Sequence, residues 1–183
     1  MKCYLPFTEG QFRSANEEWG CNCGPSALAF ALQTSLAFVR NKITKFESRR
    51  YTSPNMMRGA LFSIGRKFDA IRSPTPDDMF SHRISLVRIQ WTGPWTNPTP
   101  KRWASKHTHW ITTWQDGAKH MLFDCNGGPS DYETWEEKIV PLLMASTKNC
   151  DGWRPANVWR LEELPKRPRS PIDAMVDKAC GIN

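Results

Sequence analysis

Six cysteines and four histidines are the residues of this 183-residue chain best suited to covalent and proton-transfer chemistry. One cysteine stands out by its setting. Cys23 lies in Trp19-Gly-Cys-Asn-Cys-Gly-Pro-Ser26, and the run from Pro25 to Val39 places Leu28, Leu32, Leu36 and Val39 at helical spacing. Pro25 suits a first helical turn, where a missing N–H costs little. Cys23 is therefore expected at a helix N-terminus, where unpaired N–H groups and the helix dipole favour negative charge. Those surroundings stabilise the thiolate, which is the reactive form. Gly24 leaves room for a substrate carbonyl beside the sulfur, and the Cys23 N–H can donate to a developing oxyanion.

A nucleophile of this kind needs a base and an orienting group. His109 opens the alternating run Thr108 to Trp114, and Asp124 closes the run Lys119 to Asp124. Asp116-Gly117 between them is a hairpin signal. A turn centred there makes His109 and Asp124 cross-strand neighbours. A carboxylate beside an imidazole fixes its tautomer and supports the imidazolium formed on proton uptake. Asn126 is the alternative orienting residue. His107, two residues before His109 and so on the same strand face, is the alternative base.

Cysteine at a helix start followed by histidine and Asp/Asn on a hairpin resembles the papain-like cysteine peptidase superfamily. Within it the chain is similar to the bacteriocin-leader-processing peptidase type, whose signature reads Asp-Cys-Gly-Pro/Ala and later His-Trp or His-Phe. The corresponding residues are Asn22-Cys23-Gly24-Pro25 and His109-Trp110, and the resemblance covers roughly residues 16–128. It implies Cys23 as nucleophile, His109 as base and acid, and Asp124 as the orienting group. It also implies a glutamine about six residues before the nucleophile as an oxyanion donor. That position is Glu17, whose carboxylate cannot donate. Asn16 and the more distant Gln11 are the neighbouring donors.

The elements that must hold these residues read as α+β: a central N-terminal helix packed on a small antiparallel sheet. Residues 1–20 read as irregular. A second helix is expected over 54–68 with Ser53 as N-cap, and a third over 133–145, interrupted at Pro141. Strands are expected at Ile84–Trp91, in the two hairpin arms, and at Val158–Leu161. Residues 92–105 read as a Pro-rich loop. Residues 1–164 are expected to form the thiol-enzyme domain, and 165–183 a basic, Pro-rich tail.

Trp19, Gly24, Trp103 and His107 are candidates for a substrate cleft. Cys-x-Cys at Cys21 and Cys23 is too short for the usual zinc spacing. Adding Cys125, His107 and His120 supplies donors but no second cysteine pair, so neither metal nor cofactor is expected. The net charge of +7 and pI of about 9.3 favour anionic partners. Basic residues gather at Arg40 to Arg50, at Lys101-Arg102 and at Lys166 to Arg169. The expected function is a cysteine-dependent hydrolase or acyltransferase acting on a peptide or amide bond of a protein substrate. The alternative is a catalytically weak binder of nucleic acid or an acidic protein through that basic surface. The sequence shows neither a secretory signal nor a membrane span. A cytoplasmic protein is expected, or one acting in a host cytoplasm if the chain is phage-borne.

Overall fold

The computed structural model describes residues 3–81, 83–96 and 107–162. The chain enters through helix α1 (Glu9–Trp19), which corrects the expectation of irregular structure there. Its start is fixed by a capping box. The Thr8 hydroxyl accepts from the Gln11 N–H at 3.2 Å, and the Gln11 side chain accepts from the Thr8 N–H at 2.7 Å. Gly20 ends the helix in the left-handed region at φ 76°. That conformation favours glycine, and the exposed Arg50 guanidinium lies over the position.

Helix α2 (Cys23–Ala31) is capped by the Asn22 side chain, which accepts from the Gly24 N–H at 3.2 Å. Every residue from Gly24 to Ala31 is buried, as an apolar, Ala-rich helix requires. It ends sooner than its apolar spacing suggests. Gln33 turns the chain at φ 51°, and Ser35 caps a separate helix, α3 (Leu36–Arg40). Helix α4 (Phe46–Arg49) follows. Helix α5 (Pro54–Ser63) has Ser53 as its cap, with the Ser53 hydroxyl accepting from the Met56 N–H at 3.3 Å. It stops before residue 68 because Gly65, at φ 72°, turns the chain into a strand.

That strand is β1 (Phe68–Ile71). After a 3-10 turn at Pro76–Met79 come β2 (Ser85–Thr92), β3 (Thr108–Asp116), β4 (Lys119–Asp124) and β5 (Gly128–Asp131). Helix α6 (Tyr132–Thr134), a π turn (Trp135–Ile139) and helix α7 (Val140–Ala145) lead to β6 (Gly152–Leu161). The π turn directly precedes α7, in whose first turn Pro141 lies. Proline's missing N–H is tolerated there, so helical structure runs from Tyr132 to Ala145. The six strands form one sheet in the order β1-β6-β2-β3-β4-β5, with every neighbouring pair antiparallel. The sheet is therefore larger than the expected one, and β6 is more than twice the length of the expected Val158–Leu161 strand. Pro155 fits within β6 at an irregularity opposite Arg88 and Ile89, where the register slips by one residue.

Both faces of the sheet are covered. Leu86, Trp110, Trp114, Phe123 and Trp159 pack against the N-terminal helices in one core. Val87, Ile89, Ile111, Leu122 and Val158 pack with Met79, Trp135 and Val140 in a second. Strand residues alternate between the two cores, the period-two pattern of a sheet buried on both sides. The Thr112 hydroxyl donates to the Ala27 carbonyl at 2.7 Å and fixes α2 over β3. The class is α+β. Among the described residues, no helix is long and apolar enough to cross a membrane.

Candidate active site

The hairpin register differs by one step from the expected one. Pairs run from Asp116↔Lys119 to Thr112↔Phe123, so the turn centres on Gly117-Ala118, with Gly117 at φ 61°. Moving the centre by one residue moves each partner by two, which keeps every side chain on its face. Asp124 then falls across from Ile111 and meets His109 diagonally rather than directly. The contact survives the correction: His109 Nε2 lies 2.9 Å from Asp124 Oδ1.

Asp124 is fully buried and held from four directions. Oδ1 takes the His109 ring, the Asn126 N–H at 2.9 Å and the Asn126 amide at 3.0 Å. Oδ2 accepts from the Trp135 indole N–H at 2.9 Å. Asn126 thus supports Asp124 instead of replacing it as partner to His109. Burial alone would raise the Asp124 pKa. The bond to His109 and the donors from Asn126 and Trp135 outweigh burial and hold the carboxyl below its ordinary range.

Pairing between β3 and β4 stops at Thr112↔Phe123, so His109 lies beyond the last paired residue on that side of β3. The N-terminus of α2 meets it there. The His109 ring and the Trp110 backbone N–H lie near enough to the Cys23 thiol to favour its charged form. With Nε2 engaged by Asp124, Nδ1 is the ring nitrogen left for Cys23. Burial opposes a charge on Cys23, but the adjacent His109 and the Trp110 N–H overcome it and lower the thiol pKa. For His109, burial favours the neutral ring, yet Cys23 and Asp124 together raise the pKa. The two shifts run in the direction that favours a thiolate beside an imidazolium, with the buried carboxylate behind it.

The other sites proposed from the sequence are placed as follows. Asn16 donates from its amide to the Cys21 carbonyl at 2.6 Å. It lines a groove of about 570 Å³ together with Phe7, Phe12, Phe123, Cys125 and Asn126. Gln11 gives its side-chain oxygen to the cap of α1, and Glu17 is exposed on α1. Gly24 leaves no open space, because a Cβ there would lie 2.1 Å from the Thr52 hydroxyl oxygen. Its small size serves packing of α2 on Thr52 instead of substrate access. Trp19 is 3% exposed and sits edge-on to Phe46 beneath the Arg40 guanidinium, so it is chiefly a core residue. His107 is exposed, takes φ 56° and packs on Trp95, while His120 stacks on Phe80. Neither histidine joins His109. Trp103 lies outside the described residues, as do Lys101-Arg102 and the tail. In the Arg40–Arg50 cluster, Arg40 is engaged by Glu18 and Glu47.

Trp135 and the Trp110 backbone have no place in the sequence reading of the site, which brings Cys125 forward only as a possible metal donor. Trp135 reaches Asp124 from the second core, and no local pattern marks it. Neither a protein-family model nor any curated protein sequence matches the chain.

Proposed function

We propose that the chain is a papain-like thiol enzyme that cleaves or transfers the acyl group of a peptide or amide bond through a thioester on Cys23. The observation that carries this reading is the relay from Cys23 to His109 to the buried Asp124. The Cys23 thiolate attacks the carbonyl carbon, and the Cys23 N–H at the head of α2 faces the developing oxyanion. His109 protonates the leaving amine as the C–N bond breaks, which leaves the acyl-thioester and a neutral ring. His109 then takes a proton from water or an acceptor amine as that group attacks, and the thiolate is restored. The groove beside Cys125 and Asn126, walled by Phe7, Phe12 and Phe123, suits an apolar part of a peptide substrate.

Iodoacetamide should alkylate Cys23 faster than Cys3 or Cys125, both of whose thiols burial pushes up, Cys3 to about 11. His109→Ala should remove most of that advantage. A p-nitrophenyl ester should give a p-nitrophenol burst of one equivalent that Cys23→Ala abolishes. Equal labelling of all thiols, with no burst, would sink the proposal.

A further inference from the structure

The groove of about 570 Å³ meets the candidate site at Cys125 and Asn126, which line it. The Cys125 sulfur, a His109 ring nitrogen and an Asp124 oxygen all lie within 4.8 Å of one another. Asn126 donates to Asp124 from both its backbone N–H and its amide. The groove therefore abuts the base and its carboxylate. None of its lining residues comes from α2, the helix that carries Cys23. Its walls are apolar and firm. Phe7 stacks on Phe12 with ring centroids 6.4 Å apart and meets Phe123 edge-on at 5.8 Å. Phe123 in turn stacks on the buried Phe30 at 4.6 Å. The charged lining residues, Glu9 and Arg13, pair with each other at 3.0 Å, so the groove carries no net charge.

We propose that this groove binds the amine side of the reaction. It takes the side chain of the amine that leaves on acylation and of an amine that accepts the acyl group afterwards, and in both that side chain is apolar. The inference rests on the acyl-transfer reading. There the carbonyl oxygen turns to the Cys23 N–H at the head of α2, whereas His109 exchanges its proton with the leaving amine and with the incoming acceptor. A groove that abuts His109 and Asp124 and takes no wall from α2 is placed for the amine. When an amine attacks the acyl-thioester, the C–N bond forms and the C–S bond breaks. The amine's proton passes to His109, and the electron pair returns to sulfur. An apolar side chain seated in the groove holds its amine beside the thioester, which favours that amine over water as acceptor.

The test uses the full chain, acylated with p-nitrophenyl acetate and supplied with phenylalaninamide, leucinamide or glycinamide at equal free-base concentration. The N-acetyl amides and the acetate formed are counted, which gives the partition between amine and water. Phenylalaninamide and leucinamide should capture the acetyl group about tenfold more than glycinamide, the discrimination that one apolar side chain in a pocket supplies. Their capture should also saturate. Leu5→Glu puts a charge on the groove at an exposed position, and Phe12→Ala removes part of its wall. Each should cut the preference several-fold, whereas Phe62→Ala, exposed on α5 away from the groove, should keep it. Equal capture of all three amines, hydrolysis that no amine diverts, or a preference unchanged in Leu5→Glu and Phe12→Ala would each overturn the inference. If Phe12→Ala does not fold, Leu5→Glu decides. Absence of a p-nitrophenol burst would defeat the acyl-transfer reading and this inference with it, whereas a burst followed by indiscriminate capture defeats this inference alone.

Discussion

Replacing Asp124 by asparagine keeps the shape of the group but not its capacity to accept on both sides. Oδ1 serves three donors and Oδ2 serves the Trp135 indole. If the asparagine oxygen stays with His109 and Asn126, its NH₂ faces the indole N–H, donor against donor. An unsatisfied buried donor costs about 1–3 kcal/mol, and removing one partner of a buried ion pair costs about 3–5 kcal/mol in all. Trp135→Phe deletes a single hydrogen bond to a carboxylate, worth about 1.5–3 kcal/mol. The ring that remains still packs on Tyr132 and Trp153. In the double variant no indole N–H faces the amide. Its loss should therefore fall short of the summed single losses by about 1–3 kcal/mol. Urea unfolding of the four proteins at neutral pH, read at constant m, measures the difference. Additivity within about 0.5 kcal/mol would refute the direct bond between the indole and the carboxylate.

Three further outcomes follow from the same contacts. The Asp124 carboxyl is held below its ordinary range. As pH falls from about 5, the unfolded chain therefore takes up a proton that the native state refuses, and stability declines until the native group also protonates. Urea midpoints measured between pH 5 and 2 should fall more steeply for the wild type than for Asp124→Asn. Gly24→Ala would place a Cβ 2.1 Å from the Thr52 hydroxyl oxygen, which should cost about 1–3 kcal/mol. Thr52→Gly in the same background should recover part of the loss in a thermal melt. Thr8→Ala removes the cap of α1 and should cost about 1 kcal/mol by the same assay.

How far sequence carries into structure varies with the range of the signal. Local chemistry reads well: the Ser53 cap of α5 and the alternation of β2, β3 and β4 follow from neighbouring residues. Thr8-x-x-Gln11 carries a capping signal, but no long apolar run follows it, and α1 is held mainly by burying Ala15 and Trp19. The apolar spacing from Leu28 to Val39 does not reveal the break at Gln33, because α2 and α3 both bury their leucines in one core. Strand β5 is short and contains Gly128 and Pro129, so it lacks strand character except as the partner of β4. In the candidate site, a hairpin miscounted by one step still places His109 and Asp124 on one face. The Trp135 bond to Asp124 depends on how a distant helical segment packs on the second core, and no short window of sequence contains that information.

The place of β6 has a consequence for how the chain comes into being. This strand, formed by residues 152–161, lies between β1 and β2. Its Trp159 packs on Trp110, the neighbour of His109. A ribosome that has delivered Cys23, His109 and Asp124 has not yet supplied the strand that joins the two parts of the sheet. Until it does, β1 and β2 present bare edges that invite wrong partners, and closure awaits pairings of long sequence separation, which form slowly. Cys23 therefore gains its supporting scaffold late in synthesis, and a chain cut short before Gly152 carries all three candidate residues without the strand that closes the sheet behind them.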